Sequence, residues 1–116
     1  AERWPKEFAD WCSRPEQARI PGGEALSEVS ARACRAMAEL AAGHSGQTIA
    51  LFAHRVVNKL LILSALGLGM ERFPLIIQGN CGINELVRTS RGYVIERIND
   101  TAHLRSAGSN PLSADF

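Results

Sequence analysis

His54 occupies the position most suggestive of chemistry. It ends the apolar run "TIALFA" and at once opens a second apolar segment, "HRVVNKLLILSALG". In open α/β sheets, ligands bind in the crevice at the carboxyl ends of the strands. The helix that follows such a strand brings free backbone N–H groups and a positive dipole end. An imidazole at that junction is placed to meet an anion, and a phosphoryl group is the best match. The same position also suits a histidine that only caps the helix and bonds a carbonyl.

Two further stretches carry candidate residues. In "PGGEALSEVSAR", Gly22 and Gly23 let the backbone turn, and Glu24 is expected to enter the first turn of a long helix. Acidic residues favour that position for dipole reasons alone. Arg32 lies eight residues further on and faces the same crevice, or is a solvated helix residue like Arg35. In "QGNCGINEL", Asn80 has a glycine close on either side. Its side chain reaches a neighbouring loop or simply forms the turn. Cys81 has no neighbouring base and reads as a small buried residue rather than a nucleophile. In "INDTAHL", Asn99 and Asp100 read as turn formers and His103 as structural, while His44 belongs to a surface loop.

The elements that must position these residues follow from composition and periodicity. The chain has 116 residues, enough for one modest domain with a real core. Hydrophobic residues make up 46% and charged residues 22%, as in an ordinary globular protein. A net charge of +1 gives no reason to expect a nucleic-acid or membrane partner. Cys12, Cys34 and Cys81 form no CxxC pair, which fits a reducing cytoplasm better than a disulfide framework or a zinc site. The apolar stretch over residues 56–68 is too short for a membrane span and is interrupted by Asn58 and Lys59. No signal-peptide pattern leads the chain, and helix-forming residues follow Ala1 almost at once. That start suggests a cut within a domain, or equally removal of an initiator methionine.

The spacing of Trp4, Phe8, Trp11 and Cys12 predicts a short helix, with Pro5 in its first turn. A Pro- and Gly-rich loop follows. Leu26, Val29, Ala33, Met37 and Leu40 form the apolar stripe of a long helix ending near Gly43. "QTIALFA" has the continuous apolar character of a strand buried on both faces. The helix after His54 stops at Gly67 and Gly69, and a short helical turn surrounds Pro74. "GINELVRTS" and "YVIERIND" flank Arg91–Gly92 as a β-hairpin. The expected fold class is α/β, with a mixed, mostly parallel sheet flanked by helices. Residues 1–106 form the folded unit, and residues 107–116 are expected to be a flexible tail.

In this order, "PGGEALSEVSARA", "TIALFAHRVVNKLLILSALGL", "GNCGINEL" and "YVIERINDTAHL" resemble the histidine phosphatase superfamily, the phosphoglycerate-mutase-like fold. The resemblance covers only the second half of the family domain. It implies that His54 is the second active-site histidine, stabilising charge as the phosphoryl group transfers. It also implies that Arg32, at the spacing seen in related bisphosphatases, points to the crevice mouth and contacts substrate. Asn80 and Cys81 would lie at the phosphate pocket, with Glu24 structural beside it. Arg55 departs from the glycine that often follows this histidine.

The family's Arg-His-Gly motif, which carries the nucleophilic histidine, is absent from the sequence. The usual acidic proton donor of the family also lies upstream, so Glu24 is not assigned that role. The resemblance therefore implies phosphomonoester hydrolysis, or less readily mutase chemistry, through a phosphohistidine supplied by a missing N-terminal half. No metal or organic cofactor is implied. The partners would be a phosphorylated small molecule and that missing half, or a second copy of the chain. The alternative is a non-catalytic half-domain that binds anions or a partner chain. In the family's sheet the Arg-His-Gly strand lies between "TIALFA" and the hairpin. Without it, residues 48–53 should present unpaired backbone and apolar side chains along a gap.

Overall fold

A computed structural model describes residues 3–105. The expected tail at residues 107–116 lies outside the described residues. Helix α1 spans Pro5–Ser13, with Pro5 in the first turn, where its missing N–H costs nothing. Helix α2 spans Leu26–Gly43. The Glu28 carboxylate reaches back to accept the Ala25 N–H at 2.7 Å, the acidic half of a capping box. Ala25 has no side-chain oxygen for the other half. Glu24 thus precedes the cap instead of entering the first turn.

Helix α3 spans Arg55–Ala65 and begins directly after His54. It ends in a Schellman arrangement. Leu68 N–H donates to Leu63 C=O at 2.9 Å, and Gly67 N–H donates to Ser64 C=O at 3.1 Å. Gly67 takes φ +66°, which a side chain would strain. A short 3₁₀ helix over Met70–Leu75 contains Pro74, as expected.

Strands β1, Ile83–Thr89, and β2, Gly92–Asp100, form an antiparallel hairpin around a two-residue loop. Thr89 pairs with Gly92, and its hydroxyl donates to Gly92 C=O at 2.9 Å. Glu85 faces Arg97 across the ladder, where their side chains pair at 3.3 Å. Asn99 and Asp100, read as turn formers, instead close β2. Helix α4, Ala102–Arg105, follows; the Asp100 carboxylate accepts the Ala102 N–H at 2.9 Å. That bond, with Arg97 nearby, holds the Asp100 carboxyl below its ordinary value.

The core joins three elements. Leu26 and Val29 from α2 meet Leu60 and Leu63 from α3, with Phe73 from the 3₁₀ helix closing the cluster. Trp11 packs edge-on against Phe73, ring centres 6.0 Å apart, and so ties α1 to the same core. Lys59 holds its ammonium 4.7 Å from the Phe73 ring centre.

The expected mostly parallel sheet is not found among the described residues, whose sheet is the two-stranded antiparallel hairpin. Residues 48–53 form no strand there and are exposed, not buried on both faces. The physical reason is that a strand exists only through its neighbour: without a partner ladder the apolar run has nothing to bond. Ile49, Leu51 and Phe52 are consequently exposed, Phe52 to 98%. This contrast sets up a pair of substitutions. Leu60→Ala, at a site 1% exposed, should lower unfolding stability by about 2–5 kcal/mol. Phe52→Ala should change it by no more than about 0.5 kcal/mol. Urea unfolding followed by circular dichroism measures both.

Candidate active site

His54 takes the N-cap position of α3 with extended backbone, φ −87° and ψ 158°. Its carbonyl accepts the first helical bond, from Asn58 N–H at 3.0 Å. Its imidazole makes no capping bond and is exposed. Of the two alternatives at this position, a ring spent on capping is therefore excluded. Asn58 and its neighbours are half-buried, so the packed helix fixes where His54 begins.

Arg32 sits on the second turn of α2 and grips Glu24 with two parallel bonds. Nε donates to Oε1 at 2.8 Å, and Nη2 donates to Oε2 at 2.9 Å. This bidentate fork is the strong geometry for an arginine–carboxylate pair. Its hydrogen bonds hold the Glu24 carboxyl below its ordinary value and raise Arg32. The pair uses one edge of the guanidinium, and Nη1 is turned away from Glu24. Arg32 also lines an open groove of about 370 Å³, whose other walls include Met37, Leu51, Ala53 and Val57. Ala53 immediately precedes His54. The groove thus brings Arg32 beside the segment that delivers His54.

Asn80 and Cys81 form the exposed tip of a turn, closed by Gly82 N–H donating to Gly79 C=O at 3.2 Å. Cys81 has φ +57° and is exposed, so its reading as a small buried residue is overturned. A left-handed turn position projects the side chain outward. Among the described residues no hydrogen bond joins Asn80 or Cys81 to His54 or Arg32.

What fixes this turn is an amide network that the sequence reading did not identify. Gln78, 1% exposed, exchanges two bonds with Asn84: Nδ2 of Asn84 donates to Oε1 at 2.7 Å, and Nε2 of Gln78 donates to Oδ1 at 3.1 Å. Asn84 Oδ1 also accepts the Asn99 N–H at 2.8 Å. Asn99, at φ +51°, in turn accepts the Gly79 N–H on Oδ1 at 2.7 Å. The register shift of β1 between Ile83 and Glu85 gives Asn84 the room to do this. The available signal was a glutamine ending the apolar run "LIIQ". Among the described residues no group of three or more His, Cys, Asp or Glu is placed to hold a metal. No helix there is long and apolar enough to cross a membrane.

Two outcomes follow from these contacts. A Cβ at Gly82 would meet Asn99 Oδ1 at 2.7 Å and Gly79 O at 3.2 Å. Gly82→Ala should therefore release the 79–82 turn. Amide exchange at Gly79 should accelerate at least about tenfold, the loss expected of one bond to a buried network. Glu24 should titrate below 4.5, and in Arg32→Gln it should return toward that value. Because its folded pKa is depressed, its contribution is present above pH 4.5 and is lost as pH falls through the folded value. Carboxyl-carbon chemical shifts against pH report both proteins.

The family model described as "Histidine phosphatase superfamily (branch 1)" matches residues 1–101. A 2-carboxy-D-arabinitol-1-phosphatase of Triticum aestivum is 30% identical over 98% of this chain and 23% of its own length. A probable 2-carboxy-D-arabinitol-1-phosphatase of Arabidopsis thaliana is 29% identical over 94% of this chain and 24% of its own. The chain thus spans about a quarter of these relatives' length. A mutant phosphoserine phosphatase of Entamoeba histolytica, solved with phosphoserine, superposes with a TM-score of 0.73 at 20% identity. The superposition covers 85% of this chain and 51% of that one. The α/β fold is therefore shared with that structure, and the chain belongs to the histidine phosphatase superfamily, branch 1.

Proposed function

We infer that this chain supplies the second-histidine side of a phosphomonoesterase pocket, with the nucleophilic histidine contributed by the remainder of the family domain. The observation that carries this reading is His54: an exposed imidazole, not spent on capping, at the amino end of a packed helix. The relatives are named as phosphatases, which favours hydrolysis over mutase chemistry. A small phosphorylated metabolite is the substrate class, and three free thiols favour a cytoplasmic setting.

In this reading the partner histidine attacks phosphorus, and the ester P–O bond breaks. The departing alkoxide takes a proton from an acid outside this chain. Water then attacks phosphorus and gives a proton to the same group, now a base; the P–N bond breaks, its electron pair returns to the histidine nitrogen, and inorganic phosphate leaves. His54 donates an N–H to a non-bridging oxygen, where charge develops. Arg32 offers Nη1 to another oxygen while Glu24 fixes the guanidinium plane. Asn80 and Cys81 stand at the rim of the phosphate pocket, on the turn held by the amide network.

A non-catalytic half-domain that binds a partner chain is the second reading, favoured by the exposure of Ile49, Leu51 and Phe52. In the first reading residues 48–53 are covered by the remainder of the family domain, and in the second by a partner chain or a second copy. One experiment separates the readings. An Arg-His-Gly-bearing N-terminal half from the family is added to the chain, and hydrolysis of an aryl phosphate is followed. Turnover is expected, and His54→Ala should lower it at least about a hundredfold, the scale for losing one transition-state donor. Binding of the added half without turnover selects the second reading. Turnover indifferent to His54 removes the mechanism.

A further inference from the structure

The groove beside Arg32 has a wall chemistry that phosphoryl binding leaves unused. It holds about 370 Å³, room for roughly a dozen water-sized groups. Ala33, Ala36 and Met37 line it from α2, and Val57 and Leu61 from α3. The two alanines are short, so the α2 wall recedes there and leaves the space open. Leu51 and Ala53 border it from the segment before His54, whereas Phe52 between them is 98% exposed and does not line it. A chain that covers Phe52 therefore need not fill the groove.

These walls select a ligand. Arg32 is the one charged side chain among the described residues that line the groove, and Glu24 already answers its charge with a bidentate pair. The groove by itself thus calls for no further ion. An apolar body seated there would take the half-buried Met37 and the exposed Leu51 out of water. Met37 is unbranched and polarisable, so it adapts to such a body. A phosphorylated polyol would lose water from its hydroxyls against Met37, Leu51 and Leu61, with no partner to replace it. Mostly apolar pockets of this size with few polar groups are the common form of a small-molecule site. The border at Ala53 directly precedes His54, where the proposed function puts the phosphoryl group.

We propose that this groove is the specificity subsite of the phosphate pocket and takes the apolar moiety of an aliphatic phosphomonoester. The phosphoryl end of this assignment rests on the reading of His54 given above. The apolar end rests on the groove alone.

The test titrates the 116-residue chain with methyl, butyl and hexyl phosphate and follows two signals by nuclear magnetic resonance. The Met37 methyl reports the groove. The Met70 methyl, which packs against the core and does not line the groove, is the internal control. The His54 ring reports the phosphoryl end. Butyl and hexyl phosphate should shift Met37 saturably and leave Met70 unmoved. Each further buried methylene should lower the dissociation constant about fourfold, the gain from removing one CH₂ from water. Ala36→Phe, at an exposed position, fills the groove. It should abolish the dependence on chain length and leave the His54 shift with methyl phosphate unchanged. Unchanged hairpin amide shifts confirm that the variant is folded; should it fail that check, the chain-length series in the unsubstituted protein decides alone. Equal affinity for methyl and hexyl phosphate, or an unmoved Met37, with the His54 ring still responding, would overturn the proposal and keep the proposed function. Glycerol phosphate binding as tightly as butyl phosphate would overturn it as well, because the groove would then not discriminate against hydroxyls. Met37 following chain length while no ester moves the His54 ring would remove the phosphoryl end, overturning the subsite together with the proposed function.

Discussion

The packing of α2 against α3 is the constraint on which the rest depends. Leu26 and Val29 on one helix, and Leu60 and Leu63 on the other, lose their water only if the two helices keep one relative position. Phe73 closes this cluster, and Trp11 closes Phe73. Because the interior is close-packed, that arrangement is stiff. It fixes the start of α3, hence His54, and the turn of α2 that carries Arg32. Neither residue belongs to the core, yet both inherit their places from it.

Polar contacts do the finer positioning. The Glu24–Arg32 pair is half exposed on both sides, so its worth lies in orientation more than in stability. It sets the guanidinium plane and ties the glycine turn before α2 to the helix. The Gln78–Asn84–Asn99 network works differently because Gln78 is buried. A buried amide with an unmet donor or acceptor is costly, so each member requires the others. That mutual requirement holds the Asn80–Cys81 turn against the end of the hairpin, using an irregularity in β1 that a regular ladder would not allow.

The segment before His54 shows the opposite case. Residues 48–53 are apolar and β-prone, yet among the described residues no strand pairs with them. Exposed Ile49, Leu51 and Phe52, beside the open Arg32 groove, make this the least satisfied part of the described structure. A chain that spans about a quarter of its curated relatives, and half of a structure with the same fold, is consistent with that imbalance. The packed helices and the unpaired segment meet at His54.

By itself the sequence determined the three longer helices, the hairpin and the family, though not helix α4, and it put the hairpin turn one residue late. Helical spacing, Pro5, Gly67 and the alternation around Arg91–Gly92 are local signals, and local geometry obeyed them. It also determined that His54 opens a helix, because the switch from "TIALFA" to "HRVVNK" is written in adjacent residues. Tertiary structure decided what depends on residues far apart. A six-residue run cannot show whether a strand partner lies beside it, so the two-sided burial expected of residues 48–53 failed, while the exposed apolar side chains expected without the Arg-His-Gly strand are found. Cys81 was read as buried from its residue type, but the left-handed turn turns it outward. The Asn84–Asn99 contact spans 15 residues and the Gly79–Asn99 contact 20, beyond the reach of any local pattern. A small hollow lined by both Trp11 and Lys59 likewise exists only because Phe73 brings α1 and α3 to the same core.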